Sequence, residues 1–283
     1  MSALHNATLL RLLVGLAAAT VIATIARRRG ALTSGGALGA VVVGTITFGL
    51  GGWAWGVVLV AFFALSTLLS RYRRRDKKVV SDKFQKGGQR DLAQVLANGG
   101  LAAALAVLFY LRPGPAVLAA FLGAMATVTA DTWGTELGIL SPFPPRLITT
   151  ARRVPPGTSG GVSLAGTAAS TMGALFIGLL AFVLLSVGTL AQGGRAVPLS
   201  WIIPSTAISG LLGSLFDSLL GATVQGIYYC ARCEEETEKP QHGCGLRTAH
   251  LRGLRWLDND AVNFISSLCG ALIAMALWGV LRR

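Results

Sequence analysis

Three carboxylates interrupt stretches of sequence that are otherwise apolar. Asp131 and Glu136 follow PAVLAAFLGAMATVTA at residues 115–130, and Asp217 stands inside IIPSTAISGLLGSLFDSLLGATV. An ionised acid at bilayer depth costs roughly 2.5–3.5 kcal/mol on insertion scales and usually marks a functional site. The sequence holds only twelve acids, and no basic residue shares the span of Asp131 and Glu136 to neutralise them. Hard oxygen ligands beside basic loops suit a divalent cation such as Mg2+ that in turn binds phosphate. Within TADTWGTELG, Thr132 and Thr135 add oxygens, each one helical turn from an acid. Asp131 and Glu136 are five residues apart, about 140° around a helix axis. They reach one ion together only if the helix breaks near Gly134. A straight helix makes Asp131 and Asp217 the metal pair.

The next segment with chemistry is LITTARRVPPGTSGGVSLAG, residues 147–166. Arg152 and Arg153 offer forked contacts to phosphate oxygens. Gly157, Gly160 and Gly161 let the backbone approach an anion, Thr158, Ser159 and Ser163 add hydroxyls, and a helix start follows. The Walker pattern GxxxxGK[ST] is absent. A flexible turn carrying ordinary topological charge is the simpler reading of the loop taken alone. In GLLGSLFDSLLGATVQG, Ser214, Asp217, Ser218, Gly221 and Gln225 recur at spacings of three and four, giving one small and polar helix face. Asp91, Gln94 and Asn98 form a polar stripe into one span. Asp258, Asn259, Asp260 and Asn263 do so at another, where capping alone accounts for one of the acids. These are expected to wall the site. Cys230, Cys233, His242 and Cys244 fall within fifteen residues, a ligand set for tetrahedral Zn2+ or else unliganded thiols in a loop. Four protein ligands leave no open position, so such an ion is a structural clip.

The elements that must position these residues are transmembrane helices. The 283 residues are 53% hydrophobic and 13% charged, with a mean hydropathy of +0.62, against roughly 25% charged for a soluble domain. The expected fold class is all-α, a polytopic helical bundle forming one membrane domain over residues 1–283. Its spans are expected at about 7–26, 32–49, 52–69, 92–111, 115–136, 163–187, 200–224 and 261–281. The glycines of SGGALGAVVVGTITFGLGG predict close helix packing in the second. The net charge of +13 does not point to nucleic acid, because the basic residues flank hydrophobic spans. Twenty of the twenty-five Lys and Arg fall at residues 27–29, 71–90, 146–153 and 232–255. Eight spans with the N-terminus outside place all four groups on the cytoplasmic side, and the C-terminus outside. Three cytoplasmic loops then matter: a basic one at 71–90, a Gly/Arg one at 137–162 and a Cys/His one at 227–258. Cysteines in that reducing compartment are thiols or metal ligands. The expected location is the cell membrane, in contact with anionic headgroups, with the site facing the cytoplasm.

Read in order, GGWAW (51–55), FFALSTLLSR (62–71), QVLANGG (94–100), ADTWGTELG (130–138), PPGTSGGVSLAGTAAS (155–170), GSLFDSLLGATVQ (213–225) and WLDNDAVNF (256–264) resemble an integral membrane family. It includes the transmembrane protein 19 type and the phytyl-phosphate kinases of tocopherol synthesis. The resemblance spans nearly the whole chain and implies phosphoryl transfer onto an isoprenyl monophosphate, giving the diphosphate. The family is distantly similar to the dolichol and phytol kinases, which use CTP, so CTP is the favoured nucleoside triphosphate. Their pattern joins an acid-bearing helix to a Lys-Thr and glycine loop. Its counterpart here is Asp131 and Glu136, then Thr149 to Ser163, with arginines in place of the lysine. In this reading Asp131, Glu136 and Asp217 hold Mg2+. Nucleotidyl transfer to a phospholipid is the alternative enzyme, and a lipid or ion transporter with the acids as cation sites is the alternative outside enzymes.

Overall fold

The computed structural model describes residues 2–73, 76, 88–191 and 199–281. Most of the basic loop at 71–90 lies outside them. Among the described residues are eight helices long and apolar enough to cross a membrane. They are α1 (Ser2–Arg28), α2 (Ser34–Gly51), α3 (Trp53–Arg71), α4 (Leu92–Leu111), α5 (Pro115–Gly138), α6 (Leu164–Ala191), α7 (Ile202–Thr223) and α8 (Asn259–Leu281). Local chemistry sets their ends. Thr33 caps α2 by accepting from the Gly36 N–H at 3.1 Å. Gly52, at φ +95°, turns the chain between α2 and α3, a backbone conformation that glycine adopts without steric cost. Asp91 and Gln94 form a reciprocal capping box on α4. Pro115 opens α5, where its missing N–H costs nothing.

Helix α5 is the axis of the bundle. Two-thirds of its apolar window (67%) is buried, whereas no other span exceeds 39%. Its residues 119–130 are all buried, as expected for a helix that is apolar on every face. It packs against α3, α4, α6, α7 and α8. Small residues make this approach possible. A Cβ at Gly123 would strike the Gly270 carbonyl of α8, and one at Gly213 of α7 would strike Thr127. In α2, the glycine-rich span, Gly36 and Gly39 admit the start of α4, and Gly49 admits Leu12 of α1. Close packing through the second span is therefore present.

The connections α1–α2, α3–α4, α5–α6 and α7–α8 meet at one end. Arg71 Nη2 donates to the Arg29 carbonyl at 2.6 Å, and the Arg90 N–H donates to the Ala31 carbonyl at 3.0 Å. The α5–α6 connection is a hairpin whose strands β1 (Arg146–Leu147) and β2 (Gly161–Val162) pair antiparallel. The α7–α8 connection folds into a three-stranded antiparallel sheet of order β4-β3-β5, from β3 (Ile227–Cys230), β4 (Glu235–Thr237) and β5 (Ala249–Arg252). These two small sheets are additions to an otherwise helical chain. The described residues of all four basic groups thus belong to the same end of the bundle.

Candidate active site

A cavity of about 620 Å3 opens where the helices meet this end, within the usual size of small-molecule sites. The C-terminal end of α5 and the polar face of α7 form its walls, and the glycine loop and Glu238 and Lys239, which follow β4, complete it. Asp131, Glu136 and Asp217 all line it, as do Thr132, Thr135 and Ser214. So do Gly157, Thr158, Ser159, Gly160, Gly161 and Ser163 of the α5–α6 loop, and Gln94, Asn98, Gln225, Asn259 and Asp260 from the flanking elements.

Helix α5 runs unbroken from Pro115 to Gly138, which decides between the two arrangements of its acids. Asp131 lies within hydrogen-bonding reach of Ser214 and faces Asp217 on α7, close enough for the two like charges to act on each other. Glu136 points elsewhere. Its Oε1 accepts from Ser70 Oγ of α3, and its charge faces Arg90. Gly134 is no break. A Cβ there would collide with Ser170 Oγ of α6, so the glycine serves contact between helices. The unbroken helix thus sets Asp131 beside Asp217 and turns Glu136 toward Ser70 and Arg90. The Oδ2 atom of Asp217 is buried without a hydrogen-bond partner among the described residues.

Five expected site residues stand apart from the cavity lining. Arg152 and Arg153 sit exposed on the outer arm of the hairpin, where Arg153 bridges to Arg146. Ala151, at φ +56°, turns them there, and its carbonyl accepts from Arg146 Nη1 at 2.8 Å. Asp91 is engaged in its capping box, and Asp258 caps α8 by accepting from the Ala261 N–H at 3.0 Å. Asn263, one turn into α8, is likewise absent from the lining.

Among the described residues, the cations that line the cavity are Arg90 and Lys239. Arg90 Nη1 donates to Thr67 Oγ1 at 2.7 Å, and the guanidinium lies 5.4 Å from the Phe63 ring centroid. Burial pushes its pKa below the ordinary value, and the Glu136 carboxylate opposes that shift. Arginine stays charged in proteins regardless. Glu238 enters beside Lys239 from the sheet and accepts from Gln225 Nε2 at 2.9 Å, while Ser159 Oγ donates to Gln225 Oε1 at 3.0 Å. Gln225 therefore ties the glycine loop to the sheet. Glu238 also acts electrostatically on both Asp131 and Asp217. Neither Arg90 nor Glu238 belongs to a recognisable motif. Arg90 sits at the end of a basic loop that topology alone explains, and Glu238 is one of four acids in EEETE.

Among the described residues, the lining carries five carboxylates (Asp131, Glu136, Asp217, Glu238 and Asp260) against two cations. Outside the cavity, Cys230, Cys233, His242 and Cys244 bring one ligand atom each within 4.8 Å of the others. The Leu246 backbone N–H, followed by His242, holds the Cys244 thiol down to about 6.

Residues 17–271 match the model of the family described as integral membrane protein DUF92. The chain belongs to the DUF92 family. Among its relatives, Protein PGR of Arabidopsis thaliana is 34% identical over 272 residues, covering 91% of this chain and 93% of that protein. An uncharacterized membrane protein of Methanocaldococcus jannaschii is 30% identical, with 96% of each chain covered. Protein VTE6, chloroplastic, of Arabidopsis thaliana is 27% identical, over 87% of this chain and 65% of that protein. No solved structure matches the chain. As a DUF92 protein the chain is an integral, multi-pass membrane protein, and the cavity lies inside the matched region.

Proposed function

We propose that the chain is a membrane-embedded kinase that phosphorylates an isoprenyl monophosphate to the diphosphate with a nucleoside triphosphate, CTP being favoured. The observation that carries this reading is the Asp131–Asp217 pair, set at the loop end of the bundle in a cavity also lined by Arg90, Lys239 and the glycine loop. The resemblance to phytyl-phosphate kinases, carried by ADTWGTELG and PPGTSGGVS, supplies the substrate class. In the orientation favoured by the Lys and Arg distribution, the cavity faces the cytoplasm, where nucleotide is found.

The donor set fits Mg2+. Asp131 and Asp217 offer hard oxygens from two facing helices, and the unpartnered Asp217 Oδ2 is a ligand atom without another task. Glu238 stands near enough to contribute charge. Held by Asp131 and Asp217, Mg2+ would supply positive charge to offset the charge that develops on phosphoryl transfer. The protein does the rest by positioning. Arg90, steadied by Thr67, Phe63 and Glu136, and Lys239 across from it present positive charge to phosphate oxygens. Thr158, Ser159 and Ser163 provide hydroxyls on the glycine-loop wall. The acceptor phosphate is already ionised near neutral pH, so a general base is unnecessary. The isoprenyl chain lies between helices, in contact with lipid.

The test is turnover of prenyl monophosphate by purified wild-type, Asp131→Asn and Asp217→Asn proteins with Mg2+ and CTP. Each substitution is expected to lower kcat by at least about 100-fold, the scale of losing preorganised transition-state electrostatics. Chelation should abolish wild-type turnover. Full activity in either variant removes that acid from the mechanism.

A further inference from the structure

The four soft ligands lie outside the proposed catalytic chemistry, and their geometry is that of a metal knuckle. Cys230 ends β3, Cys233 lies in the turn to β4, and His242 and Cys244 follow on the strand-to-strand connection. Zinc–sulfur bonds of about 2.3 Å at tetrahedral angles place sulfurs about 3.8 Å apart. Cys230 Sγ and Cys244 Sγ are 3.7 Å apart, and all four cysteines of the chain are free thiols. His242 is buried, with Nε2 3.0 Å from Glu235 Oε1. A carboxylate on Nε2 fixes the ring, as second-shell partners of ligating histidines do, and leaves Nδ1, 3.4 Å from the Cys244 backbone N, as the ligand atom.

The surroundings give such an ion a task. Residues 227–252 form a small sheet with few buried apolar side chains, chiefly Ile227 and Cys230. Units this small usually need a metal, disulfide or larger partner to hold their shape. Glu238 and Lys239 lie between Cys233 and His242, so an ion on the four ligands pins the chain on both sides of them. Beyond that pin, they are held by Gln225 on Glu238 and by Thr248 Oγ1, which donates to the Lys239 carbonyl at 2.7 Å. Arg252 fastens the sheet to the bundle by donating to the Gly221 and Ala222 carbonyls at 3.0 and 2.9 Å.

We propose that Cys230, Cys233, His242 and Cys244 bind one Zn2+, and that this ion holds the β3–β5 sheet as a fixed cap that keeps Glu238 and Lys239 in the acidic cavity. The proposal does not depend on the kinase reading, and neither readout below uses turnover. The full-length protein, purified in detergent and loaded with zinc, is expected to carry about one zinc per chain. Cys233→Ser, at the exposed ligand, and Cys244→Ser should lose most of it. Cys269→Ser, in α8, should keep it. In the same wild-type protein, stripping zinc should raise hydrogen–deuterium exchange across residues 227–252 and leave α1 to α4 unchanged. Cobalt loaded in its place should show the thiolate charge-transfer and ligand-field bands of a tetrahedral site. Zinc far below one per chain in wild type, or full zinc in Cys233→Ser and Cys244→Ser, overturns the site. Unchanged exchange at residues 237–239 after zinc removal overturns its role as a clamp.

Discussion

Glu136 and Asp131 are close in sequence and divergent in space, and that divergence organises the site. One turn and a half of helix separates a carboxylate aimed at Asp217 from one aimed at Ser70 and Arg90. The five-residue spacing made this readable as a conditional, and the unbroken α5 resolved it. Arg90 was not readable. A single arginine at the end of a basic loop has no periodicity or motif to set it apart, and only the fold brings Thr67, Phe63 and Glu136 around it. Arg152 and Arg153 had the stronger motif yet sit exposed on the hairpin. The two sets therefore separate cleanly by mutation. Arg90→Ala should lower kcat/KM for prenyl phosphate by roughly 10- to 150-fold, the scale of 1.5–3 kcal/mol for hydrogen bonds to charged groups. Arg152→Ala and Arg153→Ala should change it by no more than about threefold, as surface substitutions do. Steady-state kinetics on the three variants checks this, and the opposite ranking would return phosphate binding to the hairpin arginines.

At the scale of elements, the spans were legible because length and hydropathy leave few alternatives for backbone in a membrane. All eight appear, within a few residues at most ends. Less legible was what the glycines do. Gly134 invites reading as a hinge, because glycine weakens a helix. Its neighbour across the interface, Ser170, is invisible from local sequence, and that contact is what requires the missing side chain. The two roles predict opposite signs. Alanine at a hinge would strengthen α5 by about 1 kcal/mol through helix propensity. Alanine at a packing contact should destabilise by about 1–3 kcal/mol. Thermal unfolding of Gly134→Ala in detergent should therefore show a lower midpoint than wild type, and a raised midpoint would contradict the packing role. The β3–β5 sheet was legible only as a cluster of ligands. Its strands are three or four residues long, too short for an alternating pattern to stand out.

For the whole molecule, the distribution of charge and the position of the cavity agree. The described residues of the basic groups belong to one end, and the cavity opens at that end. If that end faces the cytoplasm, Phe143→Cys, at an exposed position of the α5–α6 loop, should react with a membrane-impermeant thiol reagent only in inverted vesicles. Reaction in right-side-out vesicles, above the background of the native cysteines, would reverse the orientation. In the proposed kinase reading, this cavity between helices joins a lipid phase to a water-soluble nucleotide. The most direct measurement of that claim is product identity. The purified chain is incubated with Mg2+, a panel of nucleoside triphosphates and phytyl, farnesyl and geranylgeranyl monophosphates, and the products are read by mass spectrometry. The account predicts a prenyl diphosphate and a nucleoside diphosphate in equal amounts. Pyrophosphate with a nucleotide-linked lipid, or no turnover of any prenyl phosphate, would contradict it.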